Sequence, residues 1–211
     1  MEYTLSANLQ SLFNPRKINI AYLCSIYYSN PCNMKKWKVL SSEYLFKRPW
    51  LTVRKDCLRL PNDAVIDEYY VLEYPTWINV IAITKDGQFV MVEQYRHGLG
   101  DVFTELVAGV VEDGEPPSDA AKRELAEETG FGGGRWELLT VLGPNPGSMN
   151  NLTYSYLATD VELLGSQHLD ATEDIGVRLL SEGEVRTLLD SDSIKQALMA
   201  APLWKYFATR R

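Results

Sequence analysis

Between Gly109 and Phe131 the chain places two glycines, four glutamates and an arginine at fixed intervals. They run Gly109, Glu115, Arg123-Glu124-Leu125, Glu127-Glu128 and Gly130-Phe131. On a helix, at about 100° per residue, Glu124, Glu127 and Glu128 fall within roughly 100° of arc on one face. Carboxylates that close repel one another, and the cluster is costly unless something positive sits in it. Mg²⁺ is the natural occupant, a hard cation usually held by one or two carboxylates together with substrate phosphates. Arg123 can fix one carboxylate through a bidentate pair. Gly109 would let a strand end turn sharply, and Gly130 suits the left-handed residue that closes a helix. Three glutamates alone describe a solvated acidic face; the complete constellation, with two glycines, an arginine and two apolar positions at fixed spacings over 23 residues, is more than such a face needs.

The elements that must hold these residues can be read from period and punctuation. Residues 118–129 are rich in Ala, Glu and Leu, with Pro116-Pro117 before them and Gly130 after, so a helix is expected there. Strands are expected over 37–42, 51–60 and 68–74, where Pro75 stops the third. Two more, 78–84 and 89–95, flank Asp86-Gly87, a strong hairpin signal. Further strands are expected at 102–107, 136–142, 152–158 and 175–180. Ser181-x-x-Glu184 is a capping box opening a helix to about 189, and 194–207 reads as a closing helix. Strands, helix, strands and helices in that order give an α+β class with a mixed sheet.

The complete constellation resembles the Nudix box, Gly-x5-Glu-x7-Arg-Glu-apolar-x-Glu-Glu-x-Gly-apolar. Every specified position matches, with Leu125 and Phe131 in the apolar slots. The resemblance implies a Nudix α/β/α sandwich and hydrolysis of a nucleoside diphosphate linked to another group. It implies Glu124 and Glu128 as core metal ligands and Glu127 as a further ligand or support of the metal site. Ala108 would offer a backbone carbonyl to a metal, Glu115 would be peripheral, and Arg123 structural.

The similarity runs over about residues 35–207 and looks strongest to the ADP-ribose pyrophosphatase branch. Pro146, in Gly143-Pro144-Asn145-Pro146-Gly147, stands sixteen residues beyond Gly130, as the branch's marker proline does. Glu93-Gln94-Tyr95-Arg96 ends a strand as in that branch, where the arginine contacts substrate phosphate; a guanidinium suits that contact. Glu173, in the loop 169–175, matches a late acid that serves as general base or further metal ligand. Two departures leave exact substrate and metal count open. Ser148-Met149-Asn150-Asn151 replaces a Ser-x-Glu-Arg-like run, and Ala171 stands where relatives often have a second acid.

The implied reaction is Mg²⁺-dependent cleavage of ADP-ribose to AMP and ribose 5-phosphate, with Mn²⁺ as the other candidate ion. Two or three ions would sit among Glu124, Glu127 and Glu128, and Glu173 would act on the attacking water. Competing readings are hydrolysis of another nucleotide sugar or dinucleotide, and a non-catalytic nucleotide sensor. Such sensors usually lose box glutamates, and this box is intact. In the branch, the strands before the core form a small antiparallel sheet exchanged between subunits. That implies a homodimer in which Arg54 or Trp50 reaches the partner's substrate by charge or by stacking.

Composition bounds the rest. The chain has 211 residues, 45% of them hydrophobic, enough for a sizeable core. A net charge of −7 argues against a nucleic-acid polymer as partner. The charge is unevenly spread: residues 1–60 carry a net +7 and residues 61–211 a net −14. Three cysteines without a CxxC pair and two isolated histidines give neither a disulfide framework nor a His-based metal centre. The apolar stretch 18–28 is too short to span a membrane, and no cleavage site follows it, so a cytoplasmic protein is expected. Three regions are expected: an extension at 1–33 outside the core, an N-terminal β-sheet region at 34–74 that dimerises, and a Nudix hydrolase domain at 75–211.

Overall fold

The computed structural model describes residues 34–210. The expected extension at 1–33, with Cys24 and Cys32, lies outside the described residues. The first three strands, β1 (Lys38–Arg48), β2 (Leu51–Arg59) and β3 (Val65–Glu73), form an antiparallel sheet in the order β1-β2-β3. β1 continues six residues past its expected end at 42. Two register shifts against β2, at Val39/Ser41 and Tyr44/Phe46, let the ladder absorb the polar Ser41–Glu43 stretch and go on.

The second sheet holds β4 (Trp77–Thr84), β5 (Phe89–Arg96), β6 (Asp101–Val110), β7 (Phe131–Gly132), β8 (Arg135–Leu142), β9 (Thr153–Leu163) and β10 (Ile175–Leu180). Its order is β10-β5-β6-β4-β9-β7, with β8 on β9; β4 and β9 are parallel, so the sheet is mixed. Strand alternation sorts its side chains to two faces. Ile78, Val80, Ala82, Val90 and Val92 pack with Ala120, Ala121 and Leu125 of α1 (Pro117–Thr129). Ile81, Ile83, Phe89 and Met91 pack with Val185 and Leu189 of α2 (Glu182–Asp190) and Leu203 and Phe207 of α3 (Ala197–Thr209). Helices on both faces make the expected α/β/α sandwich. A fully buried leucine such as Leu125 contributes about 1.5–3 kcal/mol.

One strand positions the chemistry. β6 pairs with β5 from Asp101 to Leu106 and then with β4 from Val107 to Val110. Its last residues, Ala108 and Gly109, therefore lie beside Asn79 and Ile78 at the start of β4. α3 begins at Ala197 rather than 194 and carries Pro202 inside it. A proline has no N–H, so the carbonyl of Leu198, four residues earlier, loses its helical donor. The Asn79 amide replaces that donor, its Nδ2 donating to Leu198 O at 2.8 Å.

The loop 143–150 joins the two sheets. Leu72 N donates to Ser148 O at 2.7 Å, the Tyr69 hydroxyl donates to Gly147 O, and Tyr74 N donates to Asn150 Oδ1 at 3.3 Å. Among the described residues no helix is long and apolar enough to cross a membrane.

Candidate active site

The site is built on α1 and the end of β6. Pro116 enters extended and Pro117 opens the helix, whose first turn has no use for its N–H. Gly130 closes it at φ 74°, and a Cβ there would stand 2.3 Å from Gly165 O. Both ends are thus fixed, which fixes the rotation of the glutamates in between.

Arg123 does more than orient one carboxylate. Its Nε and Nη2 fork onto Glu115, each at 3.0 Å. Its Nη1 donates to Glu124 at 2.9 Å and to Glu127 at 3.0 Å, and Nη2 also donates to Val110 O at 3.0 Å. One guanidinium thereby gathers three of the four box glutamates and pins α1 to β6. Its contact holds the Glu115 carboxyl below the usual range, and the three acids raise the arginine's own pKa, Glu115 foremost.

Glu128 is the acid that Arg123 does not reach. It is 5% exposed and accepts one long bond, 3.3 Å, from Ala108 N. Burial first, and the Glu124 charge second, push its pKa up to about 8. Burial also raises Glu124, with the Arg123 contact opposing it. Gly109 is needed for a reason beyond a sharp turn. A Cβ on it would lie 2.0 Å from Cδ of Glu124, so the missing side chain makes the space that the carboxylate fills.

Glu173 stands in the loop before β10, half-buried, and its Oε2 accepts from Asp170 N at 3.0 Å. Its charge raises the pKa of both Glu124 and Glu128, which places it in their electrostatic neighbourhood. Arg96 ends β5 and is forked onto the buried Glu105, with Nε at 3.0 Å and Nη2 at 2.5 Å from Oε2. Its positive charge lowers the Glu128 pKa, so it too faces the cluster. Pro146 packs on Gly143 in the loop that joins the sheets.

The structure does not bring Arg54 or Trp50 into this group. Arg54 is forked onto Asp56, at 2.8 and 3.0 Å, and also paired with Glu73, all within the small sheet. Trp50 sits at the β1–β2 turn with φ 63° and is 72% exposed.

The carboxylate oxygens of Glu124, half-buried and paired with Arg123, and of Glu128, buried with no cation on it among the described residues, fit a hard divalent cation. Among the described residues no three acid, imidazole or thiol groups close around one point, and the positive group within the cluster is Arg123. Sequence reasoning missed Glu105, Asn79, Thr153 and Gln196. Asn79 had a signal: it is the one strongly polar residue in Trp77–Thr84, and a polar residue amid buried apolar neighbours needs a partner.

The model of the nucleoside diphosphate sugar hydrolase N-terminal domain matches residues 37–72, and that of the NUDIX domain matches residues 74–201. The chain is 32% identical to the ADP-ribose pyrophosphatase of Mycobacterium tuberculosis, over 72% of this chain and 75% of the relative. It is 27% identical to the ADP-ribose pyrophosphatase of Bacillus subtilis, over 77% and 88% respectively. A crystal structure of an ADP compounds hydrolase superposes with a TM-score of 0.75 at 21% identity, covering 85% of this chain and 96% of the other, a likeness of fold. The NUDIX model spans more than half of the chain and takes in all of α1, the helix that carries the box glutamates and Arg123; the chain belongs to the Nudix hydrolase family.

Proposed function

We propose that the protein hydrolyses the pyrophosphate bond of a nucleoside diphosphate joined to a second group, with ADP-ribose as substrate and AMP and ribose 5-phosphate as products. The observation that carries this reading is the Glu124 carboxyl seated over Gly109 next to the buried Glu128, with Arg96 facing them. The names of the Mycobacterium tuberculosis and Bacillus subtilis relatives support the choice of ADP-ribose.

Nudix hydrolases use a divalent metal, and Mg²⁺, or Mn²⁺ in its place, is assigned to Glu124, Glu127, Glu128 and the Ala108 carbonyl. Bound there, the ion would neutralise pyrophosphate charge and lower the pKa of a water. The chain's own residues do the rest. Arg96, pre-oriented by Glu105, holds a phosphate oxygen. Glu128 must give up its proton before the site is loaded. Glu127, only half-buried at the rim, can trade Arg123 for the ion. Glu173 takes the proton of the attacking water as that water adds to one phosphorus and the P–O–P bond breaks.

The same reading treats residues 34–74 as the dimerising region and 75–211 as the catalytic domain, in a cytoplasmic homodimer. Its ligand is a small nucleotide, with neither a nucleic-acid polymer nor a membrane as partner. Arg54 and Trp50 belong to it as residues offered to the partner's substrate. For Arg54 this requires one of its two ion pairs to open.

The test is AMP release from ADP-ribose with Mg²⁺, run beside a panel of nucleotide sugars and dinucleotides. ADP-ribose is expected to give the highest kcat/KM. Glu128→Gln is expected to keep the fold and lower turnover by roughly 10³-fold or more; full activity in that variant would overturn the assignment.

A further inference from the structure

Behind the carboxylate cluster, on the α3 side of the sheet, lies a cleft of about 240 Å³ between the start of β4, the end of β6 and the first turn of α3. Ala108 and Gly109 belong to both places. They line the cleft, while the Ala108 N–H donates to Glu128 and the Glu124 carboxyl packs over Gly109. Arg96 lines the cleft as well.

Three residues that line the cleft each hold a buried oxygen without a protein partner: Asn79 Oδ1, Thr153 Oγ1 and Gln196 Oε1. Asn79 and Thr153 are 1% and 2% exposed. The orientation of the Asn79 amide is not arbitrary. Its nitrogen must face the Leu198 carbonyl that Pro202 leaves free, so the oxygen is the atom left over. Gln196 stands at the N-cap of α3 yet makes no capping bond. Buried acceptors with no donor are rare in a folded chain and call for a donor from elsewhere.

We propose that this cleft is the subsite for the sugar on the far side of the pyrophosphate, with Asn79, Thr153 and Gln196 as its hydrogen-bonding residues. The proposal rests on the pyrophosphohydrolase reading above and deepens it. The cleft is smaller than the 300–1,000 Å³ typical of drug-sized ligands, so it takes one ring. Its three oxygens ask for donors, and every sugar hydroxyl can donate. An adenine edge has a single donor group, its 6-amino, beside ring-nitrogen acceptors, and so suits three acceptors less well than a ring of hydroxyls. Trp77 supplies an apolar wall for the ring's C–H face. A diphosphate lying between Arg96 and the cluster would deliver the attached sugar across Ala108 and Gly109 into the cleft.

The test compares three substrates: ADP-ribose, ADP joined to a pentose lacking its 2- and 3-hydroxyls, and IDP-ribose. Each is assayed with the wild type, Thr153→Val, Gln196→Leu and the double variant, and thermal melts report folding. Gln196→Leu changes a half-buried residue at a helix start, so it remains informative if Thr153→Val is destabilised. The wild type is expected to prefer ADP-ribose over the dideoxy compound by roughly 10- to 100-fold, since a hydrogen-bonding site rejects analogues that leave it unpaired. Each single variant should lose about 2- to 10-fold on ADP-ribose only. The double variant should discriminate by no more than about 3-fold, with the ADP-ribose to IDP-ribose ratio unchanged. A folded double variant that keeps the wild-type preference, or whose loss follows the base instead of the sugar, would overturn the subsite. A wild type inert toward every compound would overturn the pyrophosphohydrolase reading and the subsite with it.

Discussion

The carboxylates of α1 divide into those that Arg123 reaches and the one that it does not, and this division sets the charge of the site. Glu115 is held ionised, whereas Glu128 keeps a proton up to about pH 8 because it is buried beside Glu124. An acid with a raised folded-state pKa binds more protons folded than unfolded across the interval between its two pKa values. Stability therefore falls as pH climbs from its ordinary value of 4.5 toward about 8 and levels off above. Glu124, raised by burial, adds to the same slope. A divalent ion that binds the ionised pair should remove the penalty. In thermal melts with a chelator, Tm is expected to drop between pH 5 and pH 8. Glu128→Gln should be the more stable protein at pH 8 by at least ~2 °C. Adding Mg²⁺ at pH 8 should raise the Tm of the wild type and barely move that of the variant. A slope unchanged in Glu128→Gln would mean that another group carries the buried proton.

At the scale of elements, the site depends on where α1 stops. Gly130 and Gly114 both have a left-handed backbone, with φ of 74° and 82°, but their surroundings differ. A Cβ on Gly114 meets nothing within 4 Å, whereas one on Gly130 meets Gly165 O at 2.3 Å and Leu163 Cδ1 at 3.3 Å. Gly114→Ala is therefore expected to cost about 1 kcal/mol, the left-handed penalty alone. Gly130→Ala should cost roughly 2–4 kcal/mol, because the chain carrying Gly165 must also move. Urea unfolding measures both, and equal losses would show that the close approach at Gly130 is not tight.

Such punctuation was legible in the sequence: Pro117 and Gly130 bound α1, Gly87 makes the expected hairpin at φ 79°, and Ser181 and Glu184 form the capping box. Other features depend on tertiary contacts that no local pattern records. β7 is two residues long and exists only by pairing with Glu162 and Leu163. The start of α3 was misplaced because Ile194, although buried, packs from the loop that precedes the helix. The box was readable because its chemistry follows a helical period. The oxygens of Asn79, Thr153 and Gln196 come from three separated segments that only the fold brings together.

For the whole molecule, the unresolved demand is the small sheet. Of residues 38–73 only Asp56 and Leu58 are buried. β1 is exposed along its whole length, although it carries Val39, Leu40, Tyr44, Leu45 and Phe46. A three-stranded sheet with an apolar edge strand open to water invites a partner. Charge bears on which one: β1 and β2 carry Lys38, Lys47, Arg48, Arg54, Lys55 and Arg59 against Glu43 and Asp56, whereas β3 carries Asp67, Glu68 and Glu73 and residues 61–211 are net −14. A second copy would bring acidic body to the basic β1 and β2 strands, and such complementarity weakens with salt. Sedimentation at micromolar concentration is expected to give twice the chain mass of 23.9 kDa. Tyr44→Asp/Phe46→Asp should yield a folded monomer. If Arg54 or Trp50 completes the partner's site, that monomer should lose about 10-fold or more in kcat/KM for ADP-ribose. A fully active monomeric variant would separate dimerisation from catalysis, and a wild type that sediments as a monomer would remove the dimer itself.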